Sequence, residues 1–184
     1  MNEYGKQNII RAVSYAAMFS ISMCFAAAAG DEEKNAERQP PDKLEVEETS
    51  FQQIQEKIQQ SEAAVSLVHV WATWCPPCRK EFPVIVKTAR RYGAEKLNLI
   101  LVSVDRLSAK SKVLDFLKQY DTPVGSLITS DPQKLVSQLP EGWGGGIPAS
   151  FFYDKNGQLQ EWWAGAHRFP KYKKTMEKLL KEGE

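Results

Sequence analysis

Histidine and cysteine are both scarce in this chain of 184 residues, which has 2 of the first and 3 of the second. Three cysteines are too few for the disulfide framework of a small secreted scaffold, whereas a pair plus one odd residue suits catalysis. A structural zinc site usually shows two spaced ligand pairs. Here one close pair, Cys75 and Cys78, is accompanied only by Cys24, His69 and His167, so zinc is disfavoured. An excess of one charge is missing too. The 24 lysines and arginines nearly balance 23 aspartates and glutamates, for a formal net charge of +1. That balance gives no reason to expect a nucleic-acid partner or an acidic substrate.

The chain is uncharged across residues 12–29, after Lys6 and Arg11, and this stretch ends in Ala26-Ala27-Ala28-Ala29-Gly30. A basic start, an apolar centre and small residues at the end describe a secretory signal peptide over residues 1–30. The alternative is a retained N-terminal membrane anchor, since the run is about long enough to span a bilayer, although Ser14, Ser20 and Ser22 dilute it. Lipidation at Cys24 is a third option, which Met23 fits poorly. Each option places the folded part outside the cytoplasm, in the periplasm or on the outer face of the membrane, and a membrane tether through the N-terminus is compatible with two of them. Residues 31–43 are charged, proline-bearing and almost without apolar side chains, as in a flexible linker. The remainder, 44–184, is one domain of about 140 residues, enough to bury a core without disulfide staples.

Within that domain, residues 44–46 read as a short edge strand. Thr49 or Ser50 caps a helix over 51–60 with Phe51, Ile54 and Ile58 on one face. Val65–Trp71 is β-branched and aromatic, as a buried strand requires. Pro76 and Pro77 suit the first turn of a helix running to about Tyr92 and ending at Gly93. Residues 97–104 form the clearest central strand. Ser108 or Ser111 then opens a helix with Val113, Leu114 and Leu117 inward. A short strand at Leu127 and Ile128, a helix over 132–139 and a glycine loop over 142–146 follow. A strand over 149–153, a turn at Asn156-Gly157 and a second strand over 158–164 make a hairpin, and an amphipathic helix over 170–181 closes the chain. Strands alternating with helices give an α/β fold, a central mixed sheet flanked by helices.

The chemistry is concentrated in Trp74-Cys75-Pro76-Pro77-Cys78, at the junction of the buried strand and the proline-led helix. Two cysteines at this spacing can close a small disulfide ring without rearranging the fold. The first sits at a helix N-terminus, where the dipole favours thiolate. Cys75 is therefore the expected nucleophile and Cys78, one turn in, the resolving thiol. Pro77 has no N–H to offer the Cys75 thiolate, so a modest lowering of its pKa is expected, and a dithiol suited to reducing. Arg79 and Lys80 add positive charge nearby but are expected to be solvated.

Residues 72–83, Ala-Thr-Trp-Cys-Pro-Pro-Cys-Arg-Lys-Glu-Phe-Pro, resemble the active-site stretch of thioredoxin-fold proteins, above all the TlpA/ResA/DsbE-like thiol-disulfide oxidoreductases. The order of elements matches the thioredoxin-like fold over most of the domain, with a strand-helix unit between Tyr120 and Pro140 inserted before the cis-proline loop. The resemblance implies a kink at Pro83 and a cis bond at Ile147-Pro148 facing the dithiol. It also implies a substrate-binding surface of Trp74, Pro76, Ile147 and Pro148. Many relatives have threonine after this proline; here Ala149 takes that place. Glu81, three residues past Cys78, stands where ResA-like proteins carry an acid beside the dithiol, and is the expected base for the resolving thiol. His69 occupies a position where thioredoxins have aspartate and many TlpA-like proteins asparagine. It is expected to be a hydrogen-bonded core residue or a group that tunes Cys78. His167 is expected on the surface, without a partner.

The resemblance thus implies an exported enzyme without a cofactor beyond its own disulfide. It would reduce disulfides in protein substrates, apocytochrome c or copper-site proteins of respiratory oxidases among the candidates, and be re-reduced by a membrane electron donor. A copper-binding chaperone, with Cys75, Cys78 and a histidine as ligands, is the alternative from another class, since soft thiolates suit Cu(I). A peroxidase fits less well, because peroxide reduction commonly uses a single nucleophilic cysteine in a different setting.

Overall fold

A computed structural model describes residues 44–140 and 142–183. The signal or anchor segment 1–30, Cys24 and the linker 31–43 lie outside the described residues. The elements are β1 (Val46–Thr49), α1 (Phe51–Gln59), β2 (Val65–Trp71), α2 (Pro76–Lys96), β3 (Leu97–Ser103), α3 (Lys110–Gln119), β4 (Ser126–Thr129), α4 (Pro132–Gln138), β5 (Ala149–Asp154), β6 (Leu159–Ala164) and α5 (Phe169–Glu182). The strands form one mixed sheet in the order β1-β4-β3-β2-β5-β6. Strands β1, β4, β3 and β2 run parallel to one another, whereas β5 is antiparallel to both β2 and β6.

All seven residues of β2 are buried, because helices cover both faces of the sheet. The period-two alternation of a strand sorts its side chains. Val65, Leu67 and Trp71 join α2, α3 and α5 in one core, where the rings of Trp71, Phe82 and Phe116 meet in tilted and edge-on contacts with centroids 4.7–5.0 Å apart. Val68 and Val70 face the other way, onto α1 and α4 with Ile54, Ile58 and Leu135. His69 has the parity of Leu67 and Trp71, so it points under α2 and α5. Ser150 and Phe152 of β5 share that side.

Local chemistry sets most of the boundaries. Ser50 caps α1 through a full capping box with Gln53. In α2 the one residue with non-helical angles is Gly93, with φ 66°, so the expected stop is an interruption followed by a last turn; Pro83 sits within the helix without leaving helical angles. Strand β1 begins at Val46 rather than Leu44, because pairing with β4 fixes it: Val46 lies opposite Ser126. Gly125 is required at that edge, since a Cβ there would collide with the Glu45 carbonyl. A 3₁₀ turn, Leu107–Ala109, precedes α3, and neither Ser108 nor Ser111 caps it: its N-cap is Ala109, with no side-chain bond. The inward residues of α3 are Val113, Phe116 and Leu117, with Leu114 only half-buried. The expected hairpin turn is present, with Gly157 at φ 72°.

Candidate active site

The loop from β2 into α2 is held from below by one carboxylate. Asp105, buried just beyond β3, accepts from the Thr73 N–H at 2.8 Å, from the Thr73 hydroxyl at 2.6 Å and from the Ser103 hydroxyl at 2.7 Å. Three donors on one carboxylate fix the backbone that delivers Trp74 and Cys75. Trp74 is 64% exposed, whereas Cys75 is 3% and Cys78 0% exposed. Cys75 is the N-cap of α2, with Pro76 and Pro77 filling the first two helical positions, where their missing N–H groups go unmissed. The two sulfurs are joined as a disulfide across a Cα–Cα distance of 5.3 Å. The Cys78 N–H donates to Cys75 Sγ at 3.2 Å, so one helix N-terminal donor still serves this sulfur despite the double proline. Arg79 and Lys80 are exposed.

Opposite the disulfide, the Ile147-Pro148 bond is cis, as expected. The Ile147 carbonyl oxygen lies 3.8 Å from Cys75 Sγ. Exposed Trp74 and Pro76 flank Cys75 along the chain and half-buried Ile147 meets its sulfur, whereas Pro148, expected on the substrate-binding surface, is buried.

Glu81 is on α2 one turn past Cys78 and only 2% exposed. Its Oε1 accepts from the His167 backbone N–H at 2.7 Å and from the Tyr172 hydroxyl at 2.8 Å. Burial raises its pKa above 4.5, and those two hydrogen bonds partly oppose the rise. The expectation that His167 is a surface residue without a partner is therefore corrected. It is half-buried, its backbone holds Glu81, and its ring meets the Trp163 ring with centroids 5.5 Å apart.

His69 is wholly buried. Its Nδ1 is 3.0 Å from Ser150 Oγ, which is 2.7 Å from Tyr172 Oη. Its Nε2 lies 4.0 Å from Glu81 Oε2. Burial lowers the His69 pKa to about 3, and it raises that of Tyr172, assisted by the charge of Glu81. Sequence reasoning found two members of this cluster and missed Ser150, Tyr172 and the Asp105 support. The one available signal was the shared strand parity of His69 and Ser150. Among the described residues no group of three or more histidines, cysteines, aspartates or glutamates is placed to hold a metal ion.

A mixed sheet covered on both faces, a C-x-x-C disulfide capping a helix and a cis-proline opposite it define a thioredoxin-like dithiol protein. The chain belongs to the AhpC/TSA family, whose model matches residues 37–162. Among curated proteins it is 30% identical over 94 residues to the thiol-disulfide oxidoreductase ResA of Bacillus cereus (strain ZK / E33L), covering 51% of each chain. It is 32% identical over 102 residues to a thiol:disulfide interchange protein DsbE homolog of Paracoccus denitrificans (strain Pd 1222), covering 55% of this chain and 51% of that one. The chain spans about half the length of these relatives. A crystal structure of a thiol:disulfide interchange protein from Chlorobium tepidum TLS superposes with a TM-score of 0.54 at 20% identity, over 68% of this chain and 83% of the other, a likeness of fold. The resemblance read from residues 72–83 is borne out.

Proposed function

We propose that this chain is a thiol-disulfide oxidoreductase that reduces disulfides in protein substrates through Cys75 and Cys78. The observation that carries the reading is the Cys75–Cys78 bond at the helix N-terminus, its outer sulfur flanked by exposed Trp74 and the Ile147 carbonyl. In the reduced protein, the Cys75 thiolate attacks one sulfur of a substrate disulfide, and the other substrate sulfur leaves as thiolate. An extended substrate segment pairs with the backbone at Ile147 and rests on Trp74 and Pro76. Cys78 then gives its proton to Glu81, and the resulting thiolate attacks Cys75 Sγ. The second substrate thiolate leaves, and two electrons have passed from the dithiol to the substrate. No cofactor takes part. A membrane electron donor, acting through thiol exchange, restores the dithiol.

The uncharged opening stretch after Lys6 and Arg11 supports a site of action outside the cytoplasm, with the N-terminus as export signal or membrane tether. The relatives' names, thiol-disulfide oxidoreductase and thiol:disulfide interchange protein, support disulfide exchange as the reaction, and the proposed substrates are of the kind met in cytochrome c maturation or respiratory copper-site assembly.

Trapping tests the reading. Cys78→Ser removes the resolving thiol, so partner proteins should accumulate in mixed disulfides with Cys75, and reductant should release them. Cys75→Ser should trap little. Equal trapping by both variants would overturn the assignment of roles, and absence of any trapped adduct would count against the activity.

A further inference from the structure

Four side chains from four elements close a ring beneath the dithiol helix: His69 of β2, Ser150 of β5, Tyr172 of α5 and Glu81 of α2. Three of its links are hydrogen bonds of 2.7–3.0 Å, and the fourth is the 4.0 Å gap between His69 Nε2 and Glu81 Oε2. Those two atoms are buried and without a hydrogen-bond partner. The gap is too long for a direct hydrogen bond and too short for a water to bridge with ordinary geometry.

The proton positions follow from donor counting. Oε1 of Glu81 already accepts two donors, from His167 and Tyr172, so a proton on the carboxyl belongs on Oε2. Tyr172 spends its one hydrogen on Glu81, so Ser150 must donate to Tyr172. Ser150 has then spent its own hydrogen, so His69 must donate to it from Nδ1. The imidazole is thereby held as the Nδ1–H tautomer, with the lone pair of Nε2 aimed at Oε2. With Glu81 ionised, two desolvated acceptors face each other across the gap. With one proton added, a small side-chain movement makes Oε2–H donate to Nε2, and every member of the ring donates once around the circle.

We propose that His69 is a positioning residue that makes Glu81 a single-proton store, the proton shed by Cys78 in the resolving step being received between Glu81 Oε2 and His69 Nε2. The link to Cys78 rests on the proposed exchange activity; the shared proton does not. In the step itself, Cys78–SH and the Glu81 carboxylate become the Cys78 thiolate and the Glu81 carboxylic acid, the acid hydrogen-bonded to neutral His69. The groups bonded to this pair are Tyr172 from α5, Ser150 from β5 and the His167 N–H from the loop before α5, and Cys78 lies one turn before Glu81 on α2. None of these side chains is cationic, so the store holds its proton on the pair alone. The directions of both titrations agree: burial keeps His69 unprotonated and favours the acid form of Glu81.

The test uses isotope-labelled oxidised protein, where no exchange occurs. Nitrogen NMR of His69 should show a neutral Nδ1–H ring from pH 4 to 8, against the Nε2–H form that free imidazole ordinarily favours. An imidazolium at pH 6, or the Nε2–H tautomer, would overturn the ring. Carbon NMR should show Glu81 titrating above the usual carboxylate range. His69→Asn, whose amide can donate to Oε2, should lower that value by about one unit or more, and Tyr172→Phe, which removes a donor from Oε1, should raise it. The opposed signs separate a shared proton from general loosening, and no change in either variant would overturn the proposal. Should His69→Asn fail to fold, the parent's tautomer and the Tyr172→Phe shift decide the matter. For the link to Cys78, release of an aromatic thiol from a preformed Cys75 adduct should slow by about threefold or more in His69→Asn at pH 7, as a base weaker by one unit gives at ordinary Brønsted slopes. An unchanged release rate beside a shifted Glu81 would overturn that link and leave exchange itself untouched.

Discussion

An imidazole and a carboxyl buried side by side bend stability with pH in opposite directions. Unfolded, His69 takes a proton below its ordinary 6.5; folded, it does so only near 3. Across that interval the unfolded chain binds the extra proton, so stability rises with pH there and the gain is complete above 6.5. Glu81 works the other way. Its folded pKa lies above 4.5, so from 4.5 upward the native state holds a proton that the unfolded chain has lost, and stability falls until the raised value is passed. Just above 4.5 the Glu81 slope opposes that of His69 until the raised Glu81 value is passed, and below 4.5 the His69 loss of up to about 1.4 kcal/mol per pH unit acts alone. Urea unfolding from pH 3.5 to 8.5 should show that Glu81→Gln removes this opposition, so that stability rises more steeply with pH just above 4.5, and keeps the loss below 4.5. An unchanged slope in Glu81→Gln would assign the opposing proton to another group. Asp105 makes a second prediction at this scale. Asp105→Ala strands the two donors of Thr73 and the hydroxyl of Ser103, and should cost roughly 2–4 kcal/mol in unfolding free energy. Because the loop it holds carries Cys75, reaction of the reduced dithiol should slow too. A loss well under 1 kcal/mol would mean that the clamp is dispensable.

Single elements depend on fewer contacts, and some of these were legible in the residues alone. Thr49 and Ser50 were both candidate caps because they precede a helical apolar pattern; Ser50 takes the place, and Gln53, three residues on, completes the box. Ser50→Ala should cost about 1 kcal/mol, read by denaturant unfolding, and a neutral outcome would show α1 to be held by packing alone. Pro76 and Pro77 announced the start of α2, and Gly93 its interruption, because both residue types act through their own backbone. Where partners decide, the sequence was a poorer guide. Residues 44–46 alternate weakly by themselves, yet the ladder to β4 shifts the strand to Val46–Thr49. Ser108 and Ser111 have the chemistry of caps, but the 3₁₀ turn at Leu107–Ala109 takes the place where such a bond would form. Phe116 replaced Leu114 inside because the aromatic cluster with Trp71 and Phe82 draws that face of α3 inward.

At the scale of the whole molecule, the fold could be read early because hydrophobic period, turn residues and the C-x-x-C all agree on it. The dithiol and the cis-proline loop, 72 residues apart along the chain, were placed together by the family resemblance and meet at Cys75 and Ile147. The buried ring is different. Its members lie at positions 69, 81, 150 and 172, and no local pattern links a strand histidine to a tyrosine in the last helix. Only the packing of α2 and α5 over β2 and β5 brings them together, so its chemistry emerges with the tertiary structure. The surface places exposed Trp74 beside a cysteine with almost no exposure. The central claim is that Cys75 and Cys78 form a reversible two-electron couple that operates as a reductant. Its most direct test is the reduction potential, from equilibration against dithiol buffers at pH 7 with thiol alkylation as readout. A reversible couple nearer thioredoxin, at about −270 mV, than DsbA, at about −120 mV, is the predicted result. A value at the DsbA end would contradict the reductant account and make the protein an oxidant, and failure to find a reversible couple would remove the dithiol mechanism altogether.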